Sequence, residues 1–236
     1  MIISVSRRTD IPAFYAEWFY NRLSAGYVLV RNPMNMHSVS KVSLSPDVVD
    51  AFVFWTKNPL PLMKRLDELA GYPYYFQFTL TGYGKDIEPG LPDKKQVLLP
   101  AFKDLAYKIG KRRVIWRYDP IFFSSRYSME YHLQCFEALA AELSDSTERC
   151  VISFMDEYRN TKRNAQKLSA VNYSSEEIYA FAANLAKIAA KYGLKLQTCA
   201  EAADFTPLGI TASACIDKDL IENIGGFKLK AGKDKN

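Results

Sequence analysis

The 236-residue chain has little of what builds the commonest metal and nucleophile sites. Its 2 histidines, His37 and His132, are too few for a histidine-based metal centre or a catalytic triad, and both read as solvated or packing residues. Its 4 cysteines, Cys135, Cys150, Cys199 and Cys215, stand 15, 49 and 16 positions apart with no CxxC pair. That spacing excludes a zinc knuckle or a local iron–sulfur nest and predicts reduced structural thiols. Glycine is sparse as well, at 11 residues, and no glycine-rich phosphate turn follows an apolar run. No apolar stretch approaches the roughly 18–20 residues of a membrane span, and positions 1–8 lack the basic-then-apolar order of a signal peptide. The expectation is a soluble, cytoplasmic protein.

Charge of one sign is only slightly in excess: 31 Lys and Arg against 26 Asp and Glu give +5, with one cluster at Lys228, Lys230, Lys233 and Lys235. Such a balance permits an anionic ligand but lacks the dense basic face of a nucleic-acid binder. What the chain does have is apolar and aromatic content, including 14 Phe, 15 Tyr and 3 Trp, enough for one large core and too much for disorder.

Nearly continuous apolar runs at 2–6, 27–31, 51–55, 74–80, 113–117, 150–154 and 194–199 read as buried strands, with an eighth expected within 208–216. Helical periodicity fills the gaps at about 12–25, 101–109, 128–143 and 174–192. The last opens on the capping box Ser174-x-x-Glu177 and closes at Gly193. Asn58-Pro59 starts a further helical segment that Gly71 ends. Strands alternating with helices imply parallel pairing. The first expectation is a single α/β domain over 1–224, a (β/α)8 TIM-like barrel, complete or distorted; an open doubly wound sheet is the second. Residues 225–236 read as a polar, lysine-rich tail. Two stretches break the rhythm: 32–50, read as a loop or small hairpin, and 82–100, read as a long loop.

In a parallel barrel the positions just past each strand converge on one face. There the sequence delivers Arg8 and Asp10, Arg31 and Asn32, Lys57 and Asn58, Thr81 and Tyr83, Arg117 and Asp119, Asp156, and Glu201. Charges set beside bulky aromatics, as in Trp55-Thr56-Lys57 and Trp116-Arg117-Tyr118-Asp119, are costly to bury unless paired. They are either mutually paired, as Arg8 with Asp10, Arg117 with Asp119 and Lys57 with Asp156 or Glu201, or they meet a ligand. Arginine forks suit phosphate or carboxylate; Asp119, Asp156 and Glu201 are the candidate proton-moving groups. The expected partner is a small anionic or zwitterionic molecule, with neither nucleic acid nor membrane, and no oligomeric state is assigned. Asp119 with Glu201 also suggests a glycosidase, but neutral sugars do not require several arginines. A scaffold barrel with internally paired rim charges is the remaining alternative.

The strings Ile3-Ser-Val-Ser-Arg-Arg-Thr-Asp-Ile-Pro12, Phe54-Trp-Thr-Lys-Asn-Pro59, Phe78-Thr-Leu-Thr-Gly-Tyr83, Trp116-Arg-Tyr-Asp-Pro120 and Ala214-Cys-Ile-Asp217 resemble the bacterial and archaeal domain-of-unknown-function 1848 family over essentially the whole chain. The resemblance implies a barrel related to the radical S-adenosylmethionine enzymes, with a C-terminal cysteine cluster holding iron and sulfur. This sequence carries no such cluster up to Asn236, so no metal ligand is assigned within it. Either the sequence is truncated before such a cluster or it is a variant without one, and an iron–sulfur cluster and S-adenosylmethionine are expected only for a full-length form. Under that implication Arg8, Lys57 and Arg117 meet carboxylate or phosphate, while Asp119 and Glu201 meet amine or hydroxyls.

Overall fold

Runs that are apolar on both faces become strands covered on both sides, and most of the expected ones do. The computed structural model describes residues 1–5, 9–32, 34–155, 171–199 and 201–229. Its strands are β1 (Ile2–Val5), β2 (Tyr27–Asn32), β3 (Asn35–Ser43), β4 (Ala51–Thr56), β5 (Tyr74–Thr79), β6 (Val114–Ile121), β7 (Arg149–Phe154), β8 (Lys195–Thr198) and β9 (Thr211–Ala212). Seven of them form one sheet in the order β1-β4-β5-β6-β7-β8-β9. The pairs β1/β4, β6/β7, β7/β8 and β8/β9 are parallel. Among the described residues no pairing joins β9 to β1, so the sheet is open and the fold is mixed α/β; closure into a barrel is not seen.

The expected second barrel strand lies elsewhere. β2 pairs antiparallel with β3 in a two-stranded sheet of its own. Parallel pairing needs a crossover of a dozen or more residues, whereas the polar segment that follows β2 turns straight back and offers an antiparallel partner. The hairpin leaves Leu29, Val30, Met36 and Val39 exposed. The eighth strand falls where expected but is two residues long, as β9.

The chain forms two compact units, 1–77 with 216–236, and 78–215. In the first unit, Asp10 caps α1 (Ile11–Phe14), accepting from Ala13 N at 3.0 Å. The expected 12–25 helix breaks at Tyr15 and resumes as α2 (Ala16–Ala25), which Gly26 ends in the left-handed region at φ 74°. α3 (Leu60–Met63) follows Asn58-Pro59. Phe19 of α2 packs edge-on against Phe52 and Phe54 of β4, and Phe54 stacks on Phe76 of β5 at 4.8 Å. Tyr20, fully buried, keeps its hydroxyl satisfied on the Leu62 carbonyl at 2.8 Å.

The second unit holds α4 (Leu99–Ile109), α5 (Met129–Leu143) and α6 (Ser175–Lys191), the last with the full Ser174/Glu177 capping box. α7 (Lys218–Gly225), in the first unit, is capped by Asp217, which accepts from Leu220 N. Phe78 stacks on Phe102 at 4.9 Å and Trp116 on Phe136 at 4.9 Å. His132 of α5 is wholly buried, with Nδ1 2.9 Å from the Tyr118 hydroxyl and Nε2 3.0 Å from the Phe122 carbonyl oxygen. A carbonyl only accepts, so Nε2 carries the proton and Nδ1 accepts from Tyr118.

Burial holds the His132 pKa below its ordinary 6.5. The unfolded chain therefore takes up a proton, as pH falls below about 6.5, that the folded chain refuses. Stability from this residue is complete above that pH and declines beneath it, by up to about 1.4 kcal/mol per pH unit. Urea denaturation between pH 7.5 and 5.5 should show this decline in the wild type and a shallower one in His132→Gln; equal slopes would remove the assignment.

No helix among the described residues is long and apolar enough to cross a membrane.

Candidate functional site

β6 carries the densest chemistry. Strand alternation sets Arg117 and Asp119 on one side of the strand, where β6 shifts register against β7 between Tyr118 and Ile121. Arg117 is only 4% exposed, and its Nε and Nη2 donate to Asp119 Oδ2 at 2.8 and 2.5 Å. Asp119 Oδ1 accepts from the Ser153 hydroxyl, one strand away on β7. Burial works against the Arg117 cation, yet Asp119 and the Cys199 sulfur outweigh it, and its pKa lies above the usual arginine value.

The next strand ends add to this group. Glu201, past β8, accepts from Phe154 N through Oε1 at 2.7 Å. Cys199 N donates to the Ile152 carbonyl at 3.0 Å, carrying the β7/β8 ladder one step beyond the strand. Arg117, Asp119 and Glu201, expected from the sequence, thus lie on adjacent strand ends of one unit, with Ser153 and Cys199 joining them. Of the internal pairs that stood as the alternative to a ligand, Arg117–Asp119 is present.

Other expected site residues have structural uses. Asp10 accepts from the Thr56 hydroxyl at 3.0 Å and from Lys57 N at 2.7 Å besides capping α1. Burial raises its pKa, and these hydrogen bonds pull it back. Asn58 N donates to Thr56 Oγ1 at 2.9 Å, and Asn58 Oδ1 accepts from Leu60 N. Arg31 and Asn32 lie in the β2–β3 hairpin instead of the parallel sheet, because β2 took the antiparallel partner; both are exposed, and Asn32 Oδ1 accepts from Met34 N. Arg8 and Asp156 lie outside the described residues.

Thr81 and Tyr83 belong to a lysine cradle that periodicity did not reveal. Lys94 Nζ donates to the carbonyls of Thr81 and Tyr83 at 2.9 and 2.6 Å, to Thr81 Oγ1, and to Glu88, which is itself buried. The Tyr83 hydroxyl donates to the Pro120 carbonyl at 2.8 Å and accepts from Phe122 N. Lys94 sits in a Pro/Gly-rich stretch with no local pattern to mark it as half-buried and inward-facing. Ser153 and Cys199 were visible only as polar ends of apolar runs.

Among solved structures, a candidate alpha-L-fucosidase from Bacteroides thetaiotaomicron is similar over 96% of this chain and 84% of its own, at a TM-score of 0.35 and 12% identity. A likeness that distant carries nothing about activity. No curated protein matches the chain. A family model described as a domain of unknown function matches residues 2–236, and the chain therefore belongs to the DUF1848 family.

Proposed function

We propose that the C-terminal ends of β6, β7 and β8 bind a small anionic or zwitterionic ligand. Arg117 is the cation beneath its carboxylate or phosphate. Asp119 and Glu201 meet its amine or hydroxyls. Asp119 Oδ1, already facing the Ser153 hydroxyl, is the atom set to hold or release a proton. The observation that carries this reading is the depth of the Arg117–Asp119 pair, whose side chains are 5% and 20% exposed. A pair so buried adds little net stability over an apolar pair of equal volume, so its place at the ligand-binding end of parallel strands fits recognition better than folding.

We read the sheet as part of a distorted (β/α)8 barrel. In support, its strand order follows the sequence without the reversal that defines a doubly wound sheet. The family resemblance makes S-adenosylmethionine a zwitterion of the expected kind. The iron–sulfur cluster of the radical enzymes does not fit the described residues, among which no group of three or more His, Cys, Asp or Glu could hold a metal. The ligand reading rests on Arg117, Asp119, Ser153 and Glu201 alone.

Thermal unfolding in the presence of S-adenosylmethionine, methionine or inorganic phosphate tests it. A ligand at one hundred times its Kd stabilises by about 2.7 kcal/mol, a rise of roughly 5–10 °C for a chain of this size. At least one probe should produce such a rise, and Glu201→Gln, which keeps an acceptor for Phe154 N, should diminish it. No rise with any probe, or a rise indifferent to Glu201→Gln, would overturn the proposal.

A further inference from the structure

We infer that Cys199 and Cys215 form a redox-active dithiol that low-molecular-weight disulfides oxidise to an intramolecular disulfide. Their sulfurs lie 3.5 Å apart. Sequence spacing gave no hint of this, because the 16 positions between them are folded back by the β8/β9 ladder. Thr198 pairs with Ala212, and Ser213 N donates to the Thr198 carbonyl at 2.7 Å, which brings the segment after β9 alongside the end of β8. A disulfide holds its sulfurs near 2.05 Å, so closure asks for an approach of about 1.5 Å, within reach of a side-chain rotation at an exposed residue.

The two thiols are unequal in a way that suits exchange. Cys215 is exposed, whereas Cys199 is buried, with its sulfur against the Arg117 guanidinium. Cys215 is the sulfur a solute disulfide can reach. As a thiolate it attacks one sulfur of the oxidant, forming a mixed disulfide and releasing one thiolate. Cys199 then gives up its proton and attacks the Cys215 sulfur, expelling the second thiolate. Two protein thiols are oxidised, one solute disulfide is reduced to two thiols, and the protons pass between them and solvent.

The remaining cysteines serve as internal controls. Cys150 is wholly buried on β7, and burial raises its thiol pKa far above the ordinary range. Cys135 packs beneath Gly82, so closely that a Cβ at position 82 would lie 2.8 Å from Cys135 Cβ. Neither is placed to compete.

The test uses the full chain, freed of reductant, folded and incubated with oxidised glutathione, then alkylated, digested and mapped by mass spectrometry. The expected product has two titratable thiols in place of four. It is lighter by about 2 Da, carries a 199–215 cross-linked peptide, and reverts with reductant. Cys199→Ser should stop the reaction at a stable glutathione adduct on Cys215, and Cys215→Ser should yield neither adduct nor cross-link. Four alkylated thiols in the wild type, a Cys215 adduct that never resolves, or cross-links spread over Cys135 and Cys150 would each overturn the inference. The wild-type map decides even if a variant fails to fold.

Discussion

Arg117→Ala should lower the unfolding free energy by about 3–5 kcal/mol, because it strands the Asp119 carboxylate in a site built around a cation. Asp119 keeps the Ser153 hydroxyl on Oδ1, while Oδ2 loses both guanidinium donors. For a chain of this length that is a fall in Tm of roughly 10 °C. Removing both partners should cost less than the sum of the single losses, since Arg117→Ala/Asp119→Ala leaves no buried charge behind. Urea denaturation of the two single variants and the double gives the coupling directly. A loss below about 1 kcal/mol for Arg117→Ala would mean the pair is more hydrated than its burial implies.

Lys94→Ala is expected to do comparable damage by a different route. One ammonium there satisfies the Thr81 and Tyr83 carbonyls and neutralises Glu88, which is 8% exposed. Truncation takes a donor from two carbonyls and the countercharge from a buried carboxylate that keeps the Thr81 hydroxyl, a cost of about 3–5 kcal/mol. Lys94→Ala/Glu88→Gln should recover a substantial part of it, because the stranded charge is gone and only neutral acceptors remain. The same denaturation series decides: no recovery in the double variant would place the cost in the backbone carbonyls instead of in Glu88. Because the cradle grips the backbone on either side of Gly82, Lys94→Ala should also quicken amide exchange at positions 81–84.

Much of this is legible in the sequence. The capping box at Ser174 and Glu177, the Gly26 and Gly193 helix ends and the continuous apolar strands are local signals, and each appears in the fold. The Arg117–Asp119 pair was legible too, since two residues apart on a strand means the same face. Chain closure and partner choice were not. Whether 27–31 would enter the parallel sheet depended on a competing antiparallel partner a few residues downstream, and an apolar run alone does not reveal which it will take. Lys94 and the Cys199–Cys215 contact depend on loop paths, for which composition supplies no geometry.

The hydrogen bonds on Asp10 bear on how the resemblance itself should be understood. Asp10 lies in one of the strings that carry it, while Thr56 and Lys57 lie in another, and a single carboxylate ties the two together. Strings recognised as separate words are therefore one joint in the framework, fastening a helix start to a strand end. A fingerprint of this sort identifies an architecture without describing a reaction. Chemistry is better sought at Arg117, Asp119 and Ser153, two residues of a third string and a serine that belongs to none.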